Sequence, residues 1–296
     1  MTDHDSIDLR QVSVFRLVTK INLNVILLLV TALFSAVAAM PLSAQPIRAL
    51  QQGDDAAARP SMPGRSPGPA IEDVDLAGEF AFVRVQYDSY FRGGFGYGPW
   101  SVDFPDADRN FLRGVARLSH VRVMPEPIVL RLDDDQIFEY PFLYALEVGR
   151  NGGPFFTPPE INNLREYLLR GGFLLIDDFW GTREWEAFES SIRMVFPDRE
   201  LERLAPDHEI FRIYYDTQGP QMIPALGNPD NMAERDVDTT AVYAIRDDDG
   251  RIMVLVNWNT DMGDGWEHTY HPRYPTRYAN LSYQMGLNYL IYSLTH

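Results

Sequence analysis

The sequence predicts a three-layer α/β domain built on a mostly parallel sheet with an antiparallel hairpin at one edge. Three observations predict it. Residues 157–180, TPPEINNLREYLLRGGFLLIDDFW, spell out a capped helix, a tight turn and a buried strand. An apolar run at 142–148, FLYALEV, precedes that helix, so strand, helix and strand follow in the order of a βαβ unit, whose crossover should be right-handed. Two β-rich runs at 241–246 and 251–257 then flank Asp247-Asp248-Asp249-Gly250, the acid-plus-glycine signature of a hairpin turn.

Taken in order, the chain opens with an uncharged apolar run from Val25 to Met40, preceded by Arg16 and Lys20 and followed by small residues. That layout assigns residues 1–44 to a secretory signal; counting from Ile21 brings the run close to the roughly 20 residues of a spanning helix, which leaves a retained membrane anchor as the alternative. Residues 45–78 are rich in Ala, Pro and Gly, with Pro60, Pro63, Pro67 and Pro69 too close together for helix or sheet, and read as a linker. The folded domain is expected over 79–296. It starts with a strand at 80–87, FAFVRVQY, expected at the centre of the sheet. The loop at 92–100, RGGFGYGPW, has the glycine density of a phosphate cradle but no GxGxxG and no helix on its last glycine, so it reads as an aromatic flap above the sheet.

Ala107, Phe111, Val115 and Leu118 share one face of a helix at 106–119, and residues 128–132 suit a short strand. Thr157 is the N-cap of the next helix, Pro158 fits its first position and Glu160 can bond back to the cap. Gly171-Gly172 stop it, and Phe173-Leu174-Leu175-Ile176 form a strand covered on both faces. Asp177 and Asp178 fall at its carboxyl end, where ligands bind in open α/β sheets. Thr182 is expected to cap a helix that shares Trp185, Phe188, Ile192 and Val195 on one face. Residues 207–211 read as an irregular connector, and 276–294 as a final helix apolar on most sides.

Composition excludes several functions. The 42 acidic residues outnumber the 26 basic ones, giving a net charge of −16, which argues against nucleic acid as a partner. There is no cysteine, hence no disulfide, thiolate nucleophile or zinc–cysteine site, and the single lysine, Lys20, lies in the N-terminal segment. No GxSxG elbow of a serine hydrolase occurs. No cofactor is expected.

Several stretches together, FVRVQYD at 82–88, YPFLYALE at 140–147, GGFLLIDDFW at 171–180, DHEIF at 207–211, NWNTDMGDGWE at 257–267 and GLNYLIYSLTH at 286–296, resemble the domain-of-unknown-function family 4159. More distantly the chain resembles the class I glutamine-amidotransferase-like group, which implies a flavodoxin-like sheet. The first resemblance implies an exported or membrane-tethered protein and no established activity. The second implies a cysteine nucleophile at the elbow after the 173–176 strand; here the elbow reads Asp177-Asp178-Phe179-Trp180, so glutaminase chemistry is ruled out.

The chemistry-bearing residues are expected to converge at the carboxyl ends of the strands. Asp178, Asp177, Asp88 and His208 are the catalytic candidates, as acids or bases. The stretch 257–274, NWNTDMGDGWEHTYHPRY, read as a long loop, supplies the ligand-binding candidates Asn257, Trp258, Asp261, Asp264, Trp266 and Glu267, joined by Trp180. Asp261, Asp264 and His268 are the metal candidates, since oxygen ligands with an imidazole suit a hard or borderline divalent ion. The plainer alternative is that Asp261 and Asp264 cap turns, one of the paired acids accepts backbone N–H bonds, and His208 is structural. Two functions are expected: an envelope binding or scaffolding module, taking a protein or a glycan stacked on the tryptophans, or a carboxylate- or metal-assisted hydrolase using the Asp178, Asp261 and Asp264 region. The address is exported, periplasmic or anchored to the inner membrane through the N-terminal segment.

Overall fold

In the computed structural model, which describes residues 80–89, 98–227 and 234–296, seven strands form one sheet in the order β3-β1-β4-β6-β9-β8-β7. The strands are β1 (Val83–Gln86), β3 (Ile128–Arg131), β4 (Phe142–Leu146), β6 (Phe173–Asp177), β7 (Glu202–Arg203), β8 (Ala241–Arg246) and β9 (Ile252–Trp258). A separate two-stranded piece pairs β2 (Asp88–Ser89) with β5 (Pro154–Phe155). The expected signal or anchor, the linker and residues 92–97 of the expected flap lie outside the described residues.

Strands β3, β1, β4, β6 and β9 are mutually parallel, while β8 and β7 complete one edge antiparallel. Numbered by their own sequence order, the five parallel strands run 2-1-3-4-5, the doubly wound flavodoxin-like arrangement. The middle position belongs to β6 and not, as the sequence suggested, to the first strand; β-propensity marks a strand but says nothing of its place in the sheet.

Strand residues alternate between the two faces. Phe82, Phe142, Tyr144, Phe173, Leu175 and Leu255 face one buried cluster, covered by helices α1 (Asp106–Leu118) and α5 (Thr276–Thr295) with the short helix α4 (Met262–Glu267). Val83, Val85, Leu143, Ala145, Leu174, Ile176 and Val254 face the other, covered by α2 (Pro158–Leu169) and α3 (Gly181–Val195). These are the three layers. Among the described residues no helix is long and apolar enough to cross a membrane.

Local chemistry sets the boundaries. The Thr157 side chain accepts from Glu160 N at 3.4 Å while the Thr157 N–H donates to Glu160 Oε2 at 2.9 Å, a complete capping box, and Gly171 at φ 110° ends the turn. Helix α3 departs from expectation. It starts at Gly181, and Thr182 does not cap it; instead Glu184 reaches back from the first turn to accept from Trp180 N at 2.7 Å.

One buried charge spans the α1 face. Arg84 of β1, wholly buried, donates to both carboxylate oxygens of Asp108 on α1, at 2.5 and 3.3 Å, and to the carbonyls of Trp100 and Val102 at 3.4 and 3.3 Å. Removing one partner of such a pair strands the other charge in the core. Asp108→Ala should therefore destabilise the domain by about 3–5 kcal/mol in chemical denaturation, and Arg84→Met combined with Asp108→Leu should recover most of the loss. A double variant no more stable than Asp108→Ala would contradict this account.

Candidate functional site

The parallel strands end in a repeated backbone feature. The first residue after β4 is Glu147 at φ 55°, after β6 Asp178 at φ 50°, and after β9 Asn259 at φ 58°. Left-handed φ is uncommon for any residue but glycine and costs on the order of 1–3 kcal/mol unless the surroundings enforce it. Here the surroundings do. Glu147 N donates to the carbonyls of Asp177 and Asp178, at 3.2 and 3.0 Å, Asp178 N donates to Thr260 O at 3.2 Å, and Asn259 N donates to Phe179 O at 3.1 Å. Cross-strand bonding thus continues past the strand ends while each chain turns away.

The paired acids separate into two roles. Asp177 points into the α1 face. Its Oδ2 accepts from Tyr144 Oη and Met262 N, both at 2.9 Å, and its Oδ1 accepts from Asn257 Nδ2 at 3.2 Å. Asn257 Oδ1 in turn accepts from Tyr289 Oη of α5 at 3.2 Å. Burial pushes the Asp177 carboxyl up to about 6, and these hydrogen bonds stop it rising further. It is a structural tie between β4, β6, β9 and α5. Among the described residues Asp178 has one side-chain bond, from Trp180 Nε1 to Oδ1 at 2.9 Å. Burial, and next the charges of Glu147 and Asp103, hold its carboxyl well above the usual range. Glu147 is pushed up to about 7 by burial, against the pull of its ion pair with Arg150.

The stretch after β9 folds over the same rim: Met262 N reaches Asp177 and Thr260 O reaches Asp178 N. Sequence reading took it as a loop, but it contains α4, with Asp261 as N-cap accepting from Asp264 N at 2.7 Å. Asp264 Oδ2 accepts from Leu226 N at 2.6 Å, and its Oδ1 lies 3.3 Å from His268 Nε2, which is also 3.5 Å from Glu267 Oε2. Asp103 joins from the segment ahead of α1. One ligand oxygen from each of Asp103, Asp261 and Asp264 lies within 4.8 Å of the others, and Asp264, Glu267 and His268 form a second such group. Asp103 Oδ2 is sealed from solvent and has no hydrogen-bond partner among the described residues. Burial, then Asp264 and Glu267, hold the Asp103 carboxyl well above its usual range; burial, then Asp178 and Asp264, do the same at Asp261.

Other candidates fall elsewhere. His208 sits at the opposite edge of the sheet, beside Arg246 where β8 meets the start of β9, with Nε2 3.1 Å from the guanidinium and Nδ1 accepting from Ile210 N. Burial and Arg246 lower its proton affinity; it caps a turn and does not reach the acids. Asp88 is exposed and pairs with Arg131 at 3.0 Å, which also holds Glu160 at 2.8 Å. Two of the three candidate tryptophans are buried and the third is half-buried. Trp266 is wholly buried with its ring 4.4 Å from Phe111 and 5.6 Å from Tyr144, because α4 turns it into the core. Trp180 is 2% exposed and committed to Asp178, and Trp258 packs on Trp185 at 5.2 Å and donates to Gly181 O. Glu147 and Asp103 were missed. Glu147 ends an apolar run as Asp178 does, and the same logic finds it; Asp103, between Ser101 and a proline, carries no such signal.

Residues 81–294 match a family model described as "Domain of unknown function (DUF4159)". No curated protein matches the chain.

Glu147 and Asp177 bind protons more tightly folded than unfolded, rising from ordinary values of 4.5 and 3.8 to about 7 and about 6. Their contribution is complete below the unfolded values and is lost as pH rises through the folded ones. With divalent ions chelated, stability should therefore fall between about pH 4.5 and 8, opposite to ordinary acid denaturation, and Glu147→Gln should flatten the slope. Urea midpoints that rise with pH over this window would refute the assignment.

Proposed function

The chain belongs to the DUF4159 family of domains of unknown function, and from that premise we propose that it is a ligand-binding domain of the cell envelope whose site is the acidic carboxyl edge of the sheet. One observation carries the reading: adjacent parallel strands end in left-handed Glu147 and Asp178, over which Asp103, Asp261 and Asp264 gather. Backbone strain and buried like charge collected in one place are features that folds retain where they serve binding or chemistry. The edge is also where ligands sit in doubly wound sheets. The uncharged run from Val25 to Met40 supports export and tethering. The parallel strand order supports the distant likeness to the amidotransferase-like group, with Asp178 standing at its elbow and no thiol for its reaction.

The ligand this edge favours is positively charged or arrives with a cation, since Trp180 and Trp266 are buried and Trp258, half-buried against Trp185, is the one candidate tryptophan left to a neutral glycan. A second reading, a hydrolase, draws on Glu147, pushed up to about 7, and Asp178 beside it, whose carboxyl burial also holds above its ordinary range. A buried carboxyl titrating near neutrality suits general acid or base work, and a second carboxyl beside it can take the complementary role.

Asn tolerates the left-handed conformation and removes a buried carboxyl that burial and its like-charged neighbours disfavour ionising. Asp178→Asn should therefore raise the melting temperature of the ligand-free protein while abolishing the shift given by any polyamine, glycan, nucleotide or envelope fragment that stabilises the wild type. Loss of stability on this substitution, or a ligand response that survives it, would sink the reading.

A further inference from the structure

We propose that Asp103, Asp261 and Asp264 form the binding site of a single hard divalent cation, which deepens the reading of the carboxyl edge as a ligand site by naming what occupies it. Size comes first. Hard divalent ions bind oxygen at about 2.0–2.6 Å, so donors around one ion are separated by at most about twice that distance. One oxygen from each of these three carboxylates lies within 4.8 Å of the other two, inside the limit of about 5.2 Å that the longer, calcium-like bonds set.

Next is the state of Asp103. Its Oδ2 is buried and, among the described residues, unbonded, whereas the other buried acids of the rim each accept a hydrogen bond or form an ion pair. A buried carboxylate oxygen without a donor is costly and marks a missing partner. Arg84, the opposing charge that acts on Asp103, is already committed to Asp108 and two carbonyls.

Last is the floor of the group. A Cβ on Gly263 would lie 2.4 Å from Asp103 Oδ2 and 3.3 Å from Asp261 Oδ1, so these oxygens close over a position that any larger side chain would fill. Gly263 is in α4 at an ordinary helical φ, and the atom a methyl would displace is the free end of Asp103. Gly263→Ala therefore preserves every charge and the fold while pushing Asp103 out of the group. Oxygen-only donors select Mg²⁺, Ca²⁺ or Mn²⁺ over softer metals.

The test is cation binding to the full chain, followed by calorimetry and by thermal shift with Mg²⁺, Ca²⁺ and Mn²⁺ against chelator and K⁺. The wild type should take up one ion saturably and gain thermal stability. Asp103→Asn and Gly263→Ala should each weaken affinity at least about tenfold, and Asp88→Asn, an equal charge change outside the group, by less than about twofold. If Asp103→Asn does not fold, Gly263→Ala carries the comparison. No response of the wild type to any of the three ions at millimolar concentration overturns the proposal, as does equal weakening by Asp103→Asn and Asp88→Asn, which would mean diffuse attraction to an acidic surface. A ligand response that depends on Asp178 but needs no cation would remove the ion and leave the carboxyl edge as the binding site.

Discussion

The structure depends on one positive charge in a place where sheet proteins seldom put one. Arg84 occupies an inward position of β1, wholly buried, and its guanidinium lies 4.8 Å from the centre of the Tyr144 ring. Through Asp108 it fixes α1, and through the carbonyls of Trp100 and Val102 it fixes the segment that delivers Asp103. Tyr144 then passes the constraint on, because its hydroxyl holds Asp177, Asp177 holds Asn257 and the start of α4, and Asn257 is held by Tyr289 of α5. One continuous polar chain thus crosses the apolar face from α1 to α5. Each member is satisfied, and a fully satisfied buried network specifies one arrangement of its parts.

Above that chain the rule is reversed. Asp177 is paid in full with three hydrogen bonds, while one residue later Asp178 has one and Asp103 Oδ2 has none among the described residues. The contrast matters because both levels are buried and use the same residue type. Shortage of donors cannot explain it, since backbone N–H groups of the same strap serve Asp177. The lower level holds the fold; the upper level keeps carboxylate oxygens available at the expense of stability, and left-handed Glu147, Asp178 and Asp103 add to that expense.

Much of the architecture was legible because local signals and tertiary structure agree. The capping box at Thr157 and Glu160, the glycine stop at Gly171, the β6 run and the turn at Gly250 need only neighbours in sequence. The paired acids were legible for the same reason, as the end of a strand names its own rim. Misreadings arose where one short element rotated its residues. Trp266 looked like an exposed aromatic among acids, but six residues of helix after Asp261 carry it beneath the sheet against Phe82 and Phe111. Asp103 was illegible for a different reason: its place depends on Arg84, 19 positions earlier, reaching the carbonyls on either side of Ser101. His208 failed in the reverse direction, an imidazole of ordinary catalytic appearance held at the far edge by Arg246.

The elbow at Asp178 shows how little of a reaction a fold transmits. A residue at φ 50° after a buried parallel strand is aimed at the rim whatever its side chain, so the backbone geometry is indifferent to chemistry. A thiol there would be a nucleophile. A carboxylate is a poor one, but it is a good acid, base or cation ligand, and the surroundings of Asp178 are suited to those tasks. Trp180 Nε1 binds one oxygen and so fixes the rotamer, while the charges of Glu147 and Asp103 act on Asp178 and that of Asp178 acts on Asp261. Like-charged neighbours weaken a carboxylate's hold on negative charge and strengthen its demand for a proton or a metal ion. The buried, like-charged carboxyls of the rim thus favour a proton or a cation, on a turn whose backbone geometry is indifferent to the choice.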